Sequence, residues 1–372
     1  MNRLVLIGNG FDLAHGLKTS YKNFVLWYWD QWGHRLLNSL ERTDADGLCS
    51  FKIKDNIDVQ NWASVFQGWY YKRDNPFIPW ETNEVINKAM KDRDLCDFEI
   101  TSPLFLRICK KLFCGWVDIE NEYYSLLTFR NLPINPSTEQ DVKNLNYHLN
   151  ILRDYLIYYL RTEEKKNIDV IDEIKDKIYR PIKEQEISVA FKNTVDKSLL
   201  EESNPKAIML LNFNYTNTPE KYVTEPSKAK VNYIHGKLDN PENVIFGYGD
   251  ELDENYKKLQ ELNENEVLRH IKSIRYLESD NYRKMLEFIE SAPFQVCIMG
   301  HSCGNSDRTL LNTLFEHKNC VSIKPYYHKK KDGTDNYLEL VQNISRNFSD
   351  MKLMRDRVVN KIYCNPLTEK LS

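Results

Sequence analysis

The chain has 372 residues, of which 28% are charged and 41% hydrophobic, and its formal net charge is -3. Because lysine and arginine are interspersed with acidic residues, the composition excludes a basic surface for direct nucleic-acid binding or for membrane association. A mean hydropathy of -0.59 and the lack of an apolar run of about 18 residues exclude a transmembrane helix.

The eight cysteines are scattered along the chain without a Cys-x-x-Cys pair. Several stand in apolar surroundings, as reduced core thiols do in a cytosolic protein. No signal peptide is recognisable before the first predicted strand. We therefore expect a cytoplasmic protein with neither a disulfide framework nor a zinc site.

The first predicted element is a strand that ends in a glycine turn. Residues 4–7 form an apolar run typical of a strand buried on both faces of an α/β sheet. Gly8 and Gly10 permit a close backbone approach, and a helix that begins directly afterwards would direct unpaired N–H groups at an anionic ligand such as a nucleotide phosphate. A tight turn without a ligand gives the same pattern, so both interpretations stay open.

Helical patterns dominate the next part of the chain. The hydrophobic pattern of residues 21–40 predicts the first helix. Residues 41–103 show no regular hydrophobic period, which indicates short helices and loops. Residues 104–130 again have the hydrophobic period of a helix. Residues 140–161 predict another helix, and residues 167–200 one or two more. Residues 46–204 therefore read as a helical subdomain inserted into a sheet domain formed by residues 1–45 and 205–372.

Glu120 projects onto the apolar arc of its predicted helix, whereas Asp118 and Glu122 project to the opposite, solvated side. A carboxylate on a buried stripe must be paired, neutralised or catalytically active. Glu120 is therefore either an ion-pair partner in the core or an active-site residue.

The sheet resumes with a predicted strand at residues 207–211, which ends in a cluster of amides and hydroxyls at residues 212–218. Such a position, at the carboxyl end of a strand, is where open α/β sheets bind ligands. A short strand at residues 231–234 precedes His235, and residues 243–249 predict a further strand. The charged residues 251–291 indicate surface helices with a solvated face.

The next buried strand, at residues 294–299, opens into a second glycine-serine loop that contains His301. Beside a glycine loop a histidine is either a catalytic base or a positioning residue. A helix through residues 310–314 follows, and late strands at residues 320–323 and 361–363 flank a helix at residues 336–347.

The loop after the first strand has the spacing Gly-x-Gly-x5-Gly, which differs from the Gly-x-Gly-x-x-Gly of a dinucleotide dehydrogenase. It resembles the sirtuin fingerprint Gly-Ala-Gly-Ile-Ser-x3-Gly-Ile-Pro. The corresponding residues here, together with the nearby threonine, are Gly8, Asn9, Gly10, Phe11, Asp12, Gly16 and Thr19.

Later stretches resemble sirtuins in the same order. The resemblance implies that Asn214 holds the nicotinamide ribose of NAD and orients water, and that His235 is the general base. It also implies that Gly300 and Ser302 contact the adenosine side. The neighbouring residues expected at the nucleotide are Thr216, His301 and Asp307.

More narrowly, the chain resembles the AbiH abortive-infection family of bacterial phage-defence proteins, essentially end to end. The resemblance rests on Ile-Gly-Asn-Gly-Phe-Asp-Leu-x2-Gly-Leu-x-Thr-x-Tyr-x-x-Phe at residues 7–24, Trp-x-Asp-x-Glu at 116–120, Asn-Phe-Asn-Tyr-Thr at 212–216, Ile-His-Gly at 234–236 and Gly-His-Ser-x-Gly-x-Ser-Asp at 300–307. The family is related to sirtuin-like domains of other defence systems, many of which deplete NAD. The resemblance implies a Rossmann-like, sirtuin-like parallel sheet with a large helical insertion, and a defence role. It is compatible with a phage-derived trigger and with a homo-oligomer.

Two departures from sirtuins bear on the reaction. Thr216 replaces the acidic residue of the sirtuin Asn-x-Asp motif, and the four zinc cysteines are absent. Since deacylation needs a peptide cleft built partly by the zinc module, the resemblance favours hydrolysis of NAD to nicotinamide and ADP-ribose.

Hydrolysis of NAD needs no general acid, because nicotinamide leaves as a neutral molecule from a cationic ring. It needs a positioned nucleophile and stabilisation of the oxocarbenium-like ribose. Asn214 can orient water and His235 can accept its proton. Glu120 can stabilise the cation if the helical insert folds over the site, and Asp12 can bind the ribose hydroxyls.

Two other functions stay open. Asp12 and Thr216 favour a nucleotide-binding sensor that uses the same fold without turnover and acts through a partner. A metal-dependent nuclease or phosphoesterase is the third candidate, but the carboxylates and histidines do not have the spacing of a metal site. We expect NAD or a related nucleotide as ligand and no metal.

Overall fold

The computed structural model describes residues 1–38, 41–58, 94, 96–112, 118–130, 139–195 and 204–369. They divide into two compact units, one of residues 1–19 and 160–372 and one of residues 20–159. The domain boundaries expected after residues 45 and 204 stay a prediction. Among the described residues, no helix combines the length and the apolarity that crossing a membrane requires.

Strand β1 (Asn2–Ile7) is buried at every residue, as the central strand of a sheet covered on both faces must be. It pairs in parallel with β5 (Ile208–Asn212) on one side and with β7 (Phe294–Met299) on the other. Outside these lie β6 (Ala229–Tyr233) and β8 (Cys320–Tyr326), both parallel to their neighbours. The order β6-β5-β1-β7-β8 confirms the predicted α/β class with a parallel sheet.

The strand order reverses at β1, because the chain builds outward to β6 and then crosses back to β7. Ligands of open α/β sheets bind outside the carboxyl ends of the strands at such a reversal. We call this side of the sheet, where β1, β5, β6 and β7 end, the carboxyl edge.

Alternating residues of β1 pack into two apolar layers. Leu4 and Leu6 belong to one buried cluster, and Val5 and Ile7 to another on the opposite face. The helices of this unit, besides the end of the long helix at residue 160, are α1 (Asn9–Ala14), α6 (Asp172–Tyr179), α7 (Val189–Lys192), α8 (Glu254–Glu261), α9 (Asn265–Leu268), α10 (Lys272–Arg275), α11 (Asn281–Ser291), α12 (Arg308–Phe315), α13 (Tyr337–Arg346) and α14 (Met351–Arg357).

The second unit combines helices with a small antiparallel sheet. Among its described residues the helices are α2 (Tyr21–Asn38), α3 (Pro103–Leu112), α4 (Ile119–Arg130) and α5 (Glu139–Glu164), and the last turn of α5 belongs to the first unit. Its strands are β2 (Thr43–Ala45), β3 (Cys49–Ile53) and β4 (Cys96–Ile100), in the order β2-β3-β4. Short helices and loops were expected for residues 41–103, and this prediction is wrong at the three strands. The rest of that stretch up to residue 95, apart from residues 41–58 and 94, lies outside the described residues.

Three further predictions are wrong in detail. Residues 243–249 form no strand, and their strand-like pairing is an isolated parallel bridge from Tyr248 to Ile271. Lys361–Tyr363 is a 3-10 helix. Glu122 is buried, with an ion pair to Arg107, because α3 covers a face of α4 that a single continuous helix would expose.

A buried ionic network ties the start of β1 to β7 and β8. Arg3 donates from Nη1 to the carbonyl of Ile178 at 2.8 Å, at the end of α6, and from Nη2 to Oε1 of Gln295 at 3.0 Å. Gln295 donates to Oε2 of Glu186 at 2.9 Å, and Lys324 donates to Oε1 of Glu186 at 2.6 Å. Each of these buried charges thus has partners, as burial requires.

Candidate functional site

Two groups of polar side chains occupy the carboxyl edge of the parallel sheet. The Asp12 cluster consists of Asp12, Asn214, Thr216 and Thr218, from α1 and the segment after β5. The Asp307 cluster consists of His235, Lys272, Tyr276, His301 and Asp307, from the segments after β6 and β7 and from α10 and the turn that follows it.

Asp12 is held at the carboxyl edge because α1 starts directly after β1. The residue is 1% exposed, and its Oδ2 accepts a hydrogen bond from Thr216 Oγ1 at 2.7 Å. Its Oδ1 is also buried and has no hydrogen-bond partner among the described residues. A buried carboxylate oxygen without a partner is costly, so this atom is available to a donor that a ligand supplies.

Burial raises the pKa of Asp12 to about 6, although the nearby side chains of Thr216, Thr218 and Asn214 oppose the shift. The negative charge of Glu164 raises the pKa further. The carboxyl group therefore changes its protonation close to neutral pH, where it can either accept a hydrogen bond as an anion or hold a proton.

Asn214 connects the Asp12 cluster to the glycine turn. Its Nδ2 donates to the carbonyl of Gly8 at 2.9 Å, and its backbone N–H donates to Oδ1 of Asn212 at 3.1 Å. The side chain is half-buried at the end of β5. The structure thus brings Asn214 together with Asp12 and Thr216.

The glycine turn packs against the loop after β7. A Cβ atom on Gly8 would lie 2.4 Å from Cα of His301, and one on Gly10 would lie 2.9 Å from Cα of Gly300. The N–H of Gly10 donates to the carbonyl of Gly300 at 2.8 Å, and Gly300 itself has a φ of +78°. Gly8 and Gly10 therefore allow the turn to pack closely against the backbone of the loop after β7. Their contact with a nucleotide stays a prediction.

The other residues of the fingerprint have distinct surroundings. Thr19 donates from Oγ1 to Oδ1 of Asn9 at 2.5 Å, which closes the loop between them. Phe11 is fully buried, with its ring 5.3 Å from that of Tyr222, so it is a core residue. Gly16 is exposed and has a φ of +80°, which favours glycine.

Asp307 is the centre of the second cluster. Its Oδ1 lies 2.8 Å from Lys272 Nζ and 3.3 Å from His235 Nε2, and its Oδ2 lies 3.5 Å from His301 Nε2. His301 accepts the backbone N–H of Cys303 at Nδ1, over 3.0 Å, so its Nε2 carries the proton that faces Asp307. Ser302, in the same loop, is exposed.

The charges of the Asp307 cluster favour an ionised carboxylate and a neutral His235. Burial opposes ionisation of Asp307, but Lys272 and His235 hold its pKa well below the ordinary value. Burial, with the nearby Lys272 charge, lowers the pKa of His235. A neutral imidazole can serve as a proton acceptor at neutral pH.

Both nitrogens of His235 face protein atoms. Nδ1 lies 3.2 Å from the carbonyl of Phe213 and Nε2 lies 3.3 Å from Oδ1 of Asp307, and both oxygens are acceptors. The neutral imidazole has one N–H and can donate to only one of them; in the tautomer with the proton on Nδ1, Nε2 can accept a proton. The hydroxyl of Tyr276 lies 3.2 Å from Nε2, and the two rings are parallel within 2°. To activate water, His235 must therefore exchange the Tyr276 hydroxyl for a water molecule.

The sequence interpretation missed two residues of this site, Tyr276 and Lys272. Lys272 is the clearer case. It was assigned to a solvated helix face, yet it is 1% exposed and its backbone N–H donates to the carbonyl of Tyr248 at 2.9 Å. Its charged neighbours give no periodic signal that distinguishes it. Only the tertiary position of α10, which begins at Lys272, brings the amine to Asp307.

Glu120 belongs to the second unit, in α4, and is 6% exposed. Its predicted burial is confirmed, and its catalytic role stays a prediction. Trp116, which shares its motif, lies outside the described residues.

A family model described as "Bacteriophage abortive infection AbiH" matches residues 4–328. The matched range contains both clusters of the carboxyl edge. No curated protein and no solved structure matches the chain.

Proposed function

The chain belongs to the AbiH family of bacteriophage abortive infection proteins, and from this premise we propose that it hydrolyses NAD to nicotinamide and ADP-ribose in defence against phage. The proposed site is the carboxyl edge of a Rossmann-like, sirtuin-like sheet. Support comes from the strand order, which reverses at β1, and from the polar clusters gathered there.

The observation that carries the proposal is the buried Oδ1 of Asp12, which has no hydrogen-bond partner among the described residues. A ribose offers two adjacent hydroxyl donors, and one of them would satisfy this oxygen. Asn214 stands beside Asp12 and can hold the same sugar. A donor at Oδ1 would remove the cost of leaving a buried acceptor unpaired.

The reaction breaks the bond between ribose C1′ and the nicotinamide nitrogen and forms a bond from C1′ to a water oxygen. The electron pair of the broken bond neutralises the pyridinium ring. In the proposed mechanism His235 accepts the water proton at Nε2, and the ionised Asp307 stabilises the resulting imidazolium. Asp12 and Asn214 fix the ribose so that C1′ meets the water.

One observation favours the alternative function, a nucleotide-binding sensor without turnover. The imidazole of His235 is buried between Phe213 and Tyr276, and both of its nitrogens have protein partners. A sensor needs only the binding groups of the Asp12 cluster and a partner through which it acts. We also propose a phage-derived trigger, since abortive infection must follow infection.

Incubation of the full chain with NAD, alone and with extract from phage-infected cells, tests the proposal by chromatography of released nicotinamide. We expect release that Asp12→Asn reduces and that the matched control Asp332→Asn, in an exposed turn, leaves unchanged. NAD binding measured by calorimetry without nicotinamide release in either condition would establish the sensor. Absence of both binding and release would exclude the nucleotide site.

A further inference from the structure

The second unit contains an open cavity of about 520 Å³ between α2 and α5. Small-molecule sites commonly have volumes of roughly 300–1,000 Å³, so the cavity has the size of a ligand site. The turn after β2 contributes Asp46 to its lining. All of the lining residues belong to the second unit, and none takes part in the proposed hydrolysis.

Aromatic rings form one wall of the cavity. The ring of Trp27 lies 5.7 Å from that of Tyr158 and 6.4 Å from that of Tyr155, measured between centroids. Trp27 and Tyr155 are half-buried, and Tyr158 is 61% exposed. Three large rings from two helices thus meet at a surface that core packing does not cover.

A fixed carboxylate lies among these rings. The side chain of Asp46 is 5% exposed and accepts hydrogen bonds from Tyr28 Oη at 2.9 Å, Trp32 Nε1 at 2.9 Å and Tyr155 Oη at 3.1 Å. The phenol and indole donors are therefore directed at the carboxylate, which holds the aromatic side chains in place.

The cavity lining has more negative than positive charge. Among the described residues of the lining, Arg35 is the one cation. It pairs with both Asp44 and Asp46, and its guanidinium lies 4.3 Å from the Trp32 ring centroid. Asp154 adds a carboxylate whose side chain is 65% exposed, although Arg153 bonds to it from outside the lining. The faces of aromatic rings are also negative, so the whole lining favours a positive ligand.

We propose that this cavity binds an organic cation, an alkylated or quaternary ammonium group. Such a group is attracted to aromatic faces within about 6 Å, and neighbouring carboxylates strengthen the attraction. A free small molecule or a modified lysine side chain of a partner protein presents the same chemistry.

Calorimetric titration of the full chain tests the proposal with choline and with its uncharged isostere, 3,3-dimethyl-1-butanol. Choline is expected to bind saturably and roughly 10-fold more tightly than the isostere, since only the charge differs. A third titration uses N-acetyl-trimethyllysine amide. Tighter binding than choline indicates a lysine side chain as the natural source, and weaker binding indicates a free cation.

Variants locate the site. Tyr158→Ala removes an exposed ring and is expected to weaken choline binding roughly 3- to 30-fold without unfolding the protein. Tyr147→Ala is the matched control, because Tyr147 is 57% exposed on the same helix and does not line the cavity. Melting curves of both variants verify the fold.

Four results would overturn the proposal. They are equal binding of choline and its isostere, equal effects of the two tyrosine variants, no saturable binding of either cation, and binding of adenosine in preference to choline, which would indicate a nucleobase-stacking site.

Discussion

Lys272 Nζ lies 2.8 Å from Oδ1 of Asp307, and the two side chains are buried where the segment after β7 meets α10. Removing one partner of a buried pair leaves an uncompensated charge, which typically costs about 3–5 kcal/mol. Lys272→Met should therefore destabilise the protein by roughly this amount in urea unfolding. The double variant with Asp307→Asn should recover part of the loss, and additive losses would contradict an interaction between the two residues.

The same variant should change the titration of His235. The positive charge of Lys272 lowers the pKa of His235, and the carboxylate of Asp307 raises it. Lys272→Met should therefore raise the pKa of His235, as followed by NMR of its imidazole protons. Lys318→Met, in an exposed ion pair with Glu290, is the control and should leave that pKa unchanged.

Asp12 should make the protein less stable as the pH rises. Its pKa is about 6 in the folded state and 3.8 without burial, so between these values the folded state holds the extra proton. Stability is lost as the pH rises through this window, by about 3 kcal/mol in all, and stays lower above it. Asp12→Asn should therefore raise the melting temperature more at pH 7.5 than at pH 4.5. An equal shift at both pH values would show that the carboxyl group is not responsible.

Gly8→Ala separates the two interpretations of the glycine turn. The added Cβ would lie 2.4 Å from Cα of His301, and such overpacking costs roughly 1–3 kcal/mol. Gly304→Ala is the control, because the nearest atom to its Cβ is Ser302 Oγ at 3.6 Å. If the Gly8→Ala variant keeps wild-type stability but loses nucleotide binding, the space beside Gly8 is needed for a ligand and not for backbone packing.

Glu186→Gln tests the buried ionic network that links Arg3, Gln295, Glu186 and Lys324. Burial opposes ionisation of Glu186, but Lys324 and Arg180 hold its pKa below the ordinary value. The stability that this shift provides is present above the unfolded-state pKa and is lost as the pH falls through the folded-state value. Glu186→Gln should therefore lower the free energy of unfolding at pH 7 more than at pH 3. The opposite pH dependence in urea titrations would contradict the ionised network.

The central strands β1, β5 and β7 could be predicted from the sequence because each contains four consecutive apolar residues. The small antiparallel sheet could not, although Cys49, Phe51 and Ile53 alternate as buried residues with Ser50 and Lys52. Its strands have three to five residues, and β4 pairs with β3 across a long stretch of chain. Short patterns of this kind do not identify their partner.

The site could be predicted in part for a related reason. Asn214 follows β5, and His235, His301 and Asp307 follow β6 and β7, so the geometry of parallel strands brings them to one edge. Lys272 reaches that edge from α10. Its burial depends on the contact between the start of α10 and the segment that contains Tyr248. The local sequence around Lys272 does not predict this tertiary contact.

The pairing of β1 has a consequence for synthesis on the ribosome. Leu4 pairs with Met209 and with Val296, so the central strand leaves the ribosome long before either neighbour is translated. At a translation rate of about 5–20 residues per second, roughly 15–60 s pass between the synthesis of β1 and that of β7. Residues 20–159 emerge completely within that interval and can fold first. During this interval the nascent chain carries an apolar strand that has not yet paired. We therefore expect the nascent chain to be bound by chaperones that act during translation.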